Sequence, residues 1–177
     1  MLKPNKLANN NFLSSLDLST EEVIHILEIA KKFKNKDLNI QLKNKVLGLI
    51  FDKSSTRTRV SFQVAMSRLG GTTIDLNPNT SQIGRGEPIK DTARVLSGYS
   101  DVIVMRHPRD KSVSEFAAAS RVPVINGGDG ANEHPSQALL DLYTIRSELA
   151  GRDRDLDRLR IAMVGDLRFG RTVHSLS

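Results

Sequence analysis

A chain of 177 residues, 38% apolar and 26% charged, can bury one sizeable core with material left for the start of a second. It has no cysteine, which excludes disulfides, thiolate zinc sites and cysteine nucleophiles together, and no apolar run long enough to span a membrane. The net charge of +6 invites a nucleic-acid reading, yet like charges never run to five and aromatic residues are only 5%, with no Trp, so a small anion is the expected partner and no nucleic acid or membrane is.

The opening residues, Met1 to Lys6, carry no apolar signal segment, and a cytoplasmic address is the expectation. Ser19 to Glu22 reads as a capping box, and Val23, Ile26, Leu27 and Ala30 continue it as one buried helical face. Val46 to Phe51 is an apolar run bounded by polar residues, the pattern of a strand buried on both faces of a parallel sheet. A helix is predicted from Arg57 to Leu69, ended by Gly70-Gly71, and a strand from Thr72 to Leu76. A polar loop follows from Asn77 to Glu87, longer than a strand-to-helix connection usually needs.

The alternation continues with a helix carrying Ala93, Val95 and Leu96, a strand from Asp101 to Met105, a helix from Ser114 to Ser120 and a strand from Val122 to Ile125. Pro135 suits the first position of a helix whose stripe is Ala138, Leu142, Ile145 and Leu149. A charged loop, 151–157, leads to a fifth predicted strand, Leu159 to Val164. Strands alternating with helices predict an α/β fold, a doubly wound parallel sheet with flanking helices. Its ligand should lie beyond the carboxyl ends of the strands.

The residues at those ends are cationic and polar. The first strand runs into Ser54, Ser55, Thr56, Arg57, Thr58 and Arg59 at a helix N-terminus, where free N–H groups and the dipole favour an anion. A helix cap needs one hydroxyl rather than four, which favours phosphate over capping. No Gly-x-x-x-x-Gly-Lys-Ser/Thr run is present, so this is not a P-loop. Arg106 follows the third strand, where a surface role and a ligand role are equally served. His134 and Gln137 follow a Gly-rich turn after the fourth strand, and Arg171 lies on the turn after the fifth. The histidines lack metal-ligand spacing and no Gly-x-Ser-x-Gly elbow occurs, and neither metal nor organic cofactor is expected. Such a site suits electrostatic catalysis on a phosphorylated acyl donor.

Ser55 to Arg59 with Ser61-Phe62, Met105 to Pro108 and His134 to Gln137 together resemble the signatures of the aspartate/ornithine carbamoyltransferases. The segments 44–52, 73–78 and 81–96 are similar to the ornithine enzymes, and the chain from about Asp101 onward to the aspartate enzymes. The basic residues shift in the same sense: all nine up to residue 53 are Lys, whereas ten of the eleven from residue 101 onward are Arg, the pattern of a hybrid chain.

The resemblance implies transfer of a carbamoyl group from carbamoyl phosphate to an amino-acid acceptor, in pyrimidine or arginine biosynthesis, by a homotrimer with shared active sites and no cofactor. It places a carbamoyl-phosphate-binding domain over 1–150 and only the start of an amino-acid-binding domain over 151–177. Ser55, Thr56, Arg57, Thr58 and Arg106 would hold the phosphate. Thr58, Arg106 and His134 would polarise the carbonyl, Gln137 would orient the carbamoyl NH2, and Arg171 would meet the acceptor's α-carboxylate. Ser81 and Arg85 would reach a neighbouring subunit's site. Aspartate leads as acceptor, ornithine is the rival, and a non-catalytic donor-binding fragment is the third reading. Three departures stand out: Arg85 replaces a Lys of the aspartate enzymes, Gln63 replaces a Glu, and the chain stops at Ser177, short of most of the second domain.

Overall fold

The computed structural model describes residues 10–52, 55–77, 86–149 and 159–177. Four strands, β1 (Val46–Phe51), β2 (Thr72–Leu76), β3 (Val102–His107) and β4 (Val124–Asp129), form one sheet in the order β2-β1-β3-β4, and every pair is parallel. The helices are α1 (Thr20–Lys34), α2 (Arg57–Arg68), α3 (Ile89–Leu96), α4 (Ser112–Ala117), α5 (Pro135–Leu149) and α6 (Arg171–Leu176). After β1 the chain winds outward to β2, then returns to place β3 on the opposite side of β1. That reversal is the topological switch point of a doubly wound sheet, and it opens a crevice at the carboxyl ends of β1 and β3.

Each strand's alternation feeds two cores. Ile50, Ile103, Met105 and Val124 pack with Ala93, Leu96, Val113 and Phe116 of α3 and α4. Leu47, Leu49, Phe51 and Val104 pack with Met66 of α2 on the other face. The central β1 is buried at five of its six positions, as its unbroken apolar run requires, whereas the edge strand β2 is largely exposed. The predicted capping box of α1 forms: Ser19 Oγ accepts from the Glu22 N–H and Glu22 returns a bond to the Ser19 N–H. The predicted helix at 114–120 begins earlier, at Ser112, after Lys111 takes a left-handed φ of 61°.

β1 can pass this close to its neighbours because Gly48 has no side chain. A Cβ there would stand 2.6 Å from Ser100 Oγ and 3.2 Å from side-chain carbons of Ile103 and Leu96. Gly48→Ala is expected to destabilise the fold by about 1–3 kcal/mol, the usual cost of overpacking a filled core. A urea midpoint unchanged in that variant would contradict the tight approach.

One expectation is corrected. Residues 159–164 form no strand: no described segment pairs with them, and without a ladder of hydrogen bonds an apolar run holds no extended register. Their apolar side chains stand open instead, Val164 at 95% and Ile161 at 51% exposure. The outer edge of β4 is partly covered: Phe12 N–H donates to the Val124 carbonyl (2.9 Å) and the Asn126 N–H donates to the Phe12 carbonyl (2.8 Å). No described helix is long and apolar enough to cross a membrane.

Candidate active site

A cleft of about 1090 Å³ opens at the switch point. Eight of the ten residues singled out from the sequence line it: Ser55, Thr56, Arg57, Thr58, Arg106, His134, Gln137 and Arg171. The other two, Ser81 and Arg85, lie outside the described residues.

Each lining residue is placed by a local structural cause. Thr56 occupies the N-cap position of α2 yet makes no side-chain capping bond, so its hydroxyl is free to face a ligand rather than spent on the helix. Arg106 lies at an irregularity of the β3–β4 ladder: Met105 pairs with Asn126 and His107 with Asp129, so Arg106 stands opposite both Gly127 and Gly128. Such bulges re-aim side chains beside active sites. Gly128 has φ +115°, open to glycine and strained for other residues, and a Cβ on it would meet the Arg171 guanidinium at 3.2–3.4 Å. Arg171, at the start of α6, therefore lies flat across the turn and donates from Nη1 to the Gly130 carbonyl at 2.9 Å.

The electrostatics are those of an anion cradle. Burial, followed by the neighbouring Arg171 and Arg57, pushes the Arg106 pKa down to about 10. Its Nη1 donates to Ser55 Oγ (3.2 Å), and its buried Nε has no hydrogen-bond partner. Burial also lowers the Arg171 pKa, against an opposing pull from Asp129. Among the described residues no ion pair includes Arg57, Arg106 or Arg171. Three guanidinium groups thus converge without a carboxylate on any of them.

His134 is the buried acid–base group of the cleft, 6% exposed. Burial first, then Arg106 and Arg171, pushes its pKa down to about 4. Its Nδ1 lies 3.3 Å from Ser136 Oγ and its Nε2 lies 3.4 Å from Thr58 Oγ1. When Ser136 donates to Nδ1, the ring proton sits on Nε2 and faces the cleft beside the Thr58 hydroxyl. A neutral imidazole N–H is a hydrogen-bond donor there, suited to polarising a carbonyl oxygen. Gln137 donates its Nε2 to Asp141 Oδ1 (3.0 Å), which leaves its carbonyl oxygen to receive an N–H.

Sequence reasoning gave no site role to Ser61, Phe62, Ala65, Ser136, Leu140, Asp141 and Thr172, which also line the cleft. Helical spacing carries their signal: Phe62 and Ala65 continue the face of Thr58 on α2, and Leu140 and Asp141 that of Gln137 on α5. Conversely, Arg59, read with Arg57 as an anion ligand, does not line the cleft; two helical positions further on, it turns toward β2. Among the described residues no group of three or more His, Asp or Glu side chains could hold a metal ion.

Fold and cleft together define an α/β domain with a cationic crevice at its switch point. The chain belongs to the aspartate/ornithine carbamoyltransferase family: the model of that family's carbamoyl-P binding domain matches residues 10–147. It is 64% identical over 166 residues to an ornithine carbamoyltransferase of Prochlorococcus marinus subsp. pastoris, covering 94% of this chain and 52% of that protein. It is 54% identical over 176 residues to the aspartate carbamoyltransferase catalytic subunit of Saccharophagus degradans, covering 97% of this chain and 52% of that one. Aspartate transcarbamoylase from Trypanosoma cruzi, solved in complex with carbamoyl phosphate, superposes with a TM-score of 0.88 at 39% identity, over 96% of this chain and 53% of that one. The chain spans about half the length of the relatives it matches.

Proposed function

We propose that this chain is the donor-binding half of a carbamoyltransferase, residues 1–150 holding carbamoyl phosphate and 151–177 beginning the acceptor domain. The observation that carries the reading is the unpaired convergence of Arg57, Arg106 and Arg171 on one cleft. Ser55, Thr56, Arg57, Thr58 and Arg106 would grip the phosphate, with hydroxyls and guanidinium groups donating charge-assisted bonds. Thr58, Arg106 and neutral His134 would donate to the carbamoyl oxygen, and the free Gln137 oxygen would accept from the carbamoyl NH2.

An acceptor amine attacks the carbonyl carbon and a new N–C bond forms. The C–O bond to phosphate then breaks, phosphate departs with the electron pair, and the nitrogen releases a proton. Charge builds on the carbonyl oxygen in between, where the three donors already point, so little reorganisation accompanies the step.

Aspartate is the acceptor we favour, since the solved relatives with this fold include the Trypanosoma cruzi enzyme bound to carbamoyl aspartate and phosphate. Ornithine is the second reading, supported by the higher identity to ornithine-named relatives. Arg171 would take the acceptor's α-carboxylate in either case. Ser81 and Arg85 would complete the cleft of a neighbouring copy in a cytoplasmic homotrimer.

The test is to incubate the protein with carbamoyl phosphate and each amino acid and to identify the product by mass spectrometry. N-carbamoyl-aspartate is the expected product. Citrulline as the dominant product would reverse the acceptor, and donor binding without any product would make this chain a binding module.

A further inference from the structure

Arg59 belongs to the same short motif as Arg57 but faces away from the anion cleft. Its Nη2 donates to the Phe51 carbonyl at 3.4 Å, and its guanidinium carbon lies 5.4 Å from the centre of the Phe51 ring. Phe51 ends β1 and Arg59 sits in the first turn of α2, so this one side chain joins the two ends of the segment that carries Ser55, Thr56, Arg57 and Thr58. On its other side, Arg59 Nε is buried, makes no hydrogen bond, and lies 3.7 Å from Asp75 Oδ2. That same oxygen accepts from Gln63 Nε2 at 3.2 Å, one turn further along α2. Asp75 is held in the sheet opposite Leu49, a β1 residue whose side chain faces α2.

We propose that Asp75, braced by Gln63, is a positioning residue for the donor site: it fixes Arg59 so that Arg59 clamps the end of β1 to the start of α2. The physical reasoning is direct. A carboxylate beside a half-buried guanidinium favours the orientation that keeps the two charges close. Without Asp75, Arg59 is free to turn toward solvent, the Phe51 carbonyl loses its donor, and the phosphate-facing hydroxyls lose their fixed spacing. Ligand donors held loosely bind less tightly because their ordering is then charged to the binding step. The proposal rests on the donor-site reading for its binding consequence, but the clamp itself does not.

The experiment compares wild type, Asp75→Ala and the double variant Asp75→Ala/Gln63→Glu, which returns a carboxylate to the same space from the helix. Two quantities are read: affinity for inorganic phosphate by calorimetry, and hydrogen exchange at the Asp52 amide, bonded to the Arg106 carbonyl, and at the amides of 60–62. Asp75→Ala should weaken phosphate binding and speed exchange at those amides, each by about fivefold, in line with couplings transmitted through one intervening side chain. The double variant should recover both. Unchanged exchange in Asp75→Ala, or a double variant as loose as the single one, would overturn the clamp. A wild-type chain with no affinity for phosphate would overturn the donor-site reading instead, and the exchange rates would still decide the clamp.

Discussion

Arg106→Met is expected to weaken inorganic phosphate binding by about 10- to 150-fold, the loss of a charge-assisted contact worth roughly 1.5–3 kcal/mol. The same substitution should raise the melting temperature of the ligand-free chain. Both follow from one fact: Arg106 is a half-buried cation with an unpartnered Nε, placed between two further guanidinium groups. A charge held out of water without a partner costs stability, and an isosteric apolar chain removes that cost. Phosphate repairs the same defect from outside, so at one phosphate concentration wild type should gain more thermal stability than the variant. Opposite changes in affinity and melting temperature are the signature of a site that keeps strain for its ligand. Calorimetry and thermal melts of the two proteins, with and without phosphate, check it. A variant that binds as tightly as wild type would remove Arg106 from the cradle.

His134 should make the stability of the ligand-free chain fall as pH drops from about 6.5 to about 4, and His134→Asn should lack that component. In the unfolded chain an ordinary imidazole takes its proton near pH 6.5. In the native cleft the pKa is pushed down to about 4, by burial and then by Arg106 and Arg171. Between those values the unfolded state binds a proton that the native state refuses, so stability rises with pH across the window. The contribution is fully present above pH 6.5 and amounts to up to about 3 kcal/mol. Bound phosphate, an anion facing the same two arginines, should raise the His134 pKa and narrow the window. Urea titrations at intervals from pH 4 to 7 measure the slope. Equal slopes in wild type and His134→Asn would show that His134 titrates normally and that the cleft does not hold it neutral below pH 6.5.

Much of this molecule can be read without its coordinates, because its local and global patterns agree. The unbroken apolar run of β1 can be satisfied only by burial on both faces, which already demands a parallel sheet with helices above and below. The order of strands and helices then puts Ser55 to Thr58, Arg106 and His134 at the same end of that sheet, since each lies at the carboxyl end of a strand or beyond it. Periodicity also located the inward faces of α1 and α5, where Leu27 and Ala138 are buried and the other stripe residues half-buried, and the capping box fixed the start of α1 to the residue.

What the sequence could not decide depends on neighbours distant in the chain. Leu159 to Val164 has the composition of a strand but forms none, because a strand exists only where another backbone pairs with it. Arg57 and Arg59 are indistinguishable as motif residues; two positions along a helix turn a side chain by about 200°, so one faces the cleft and the other faces Asp75. The neutrality of His134 is likewise a property of the packed cleft, set by desolvation and two guanidinium groups brought together from β3 and α6. Composition and spacing determined which chemistry is available at the strand ends. The tertiary structure decided which of those groups meet, because burial and charge act through space and not along the chain.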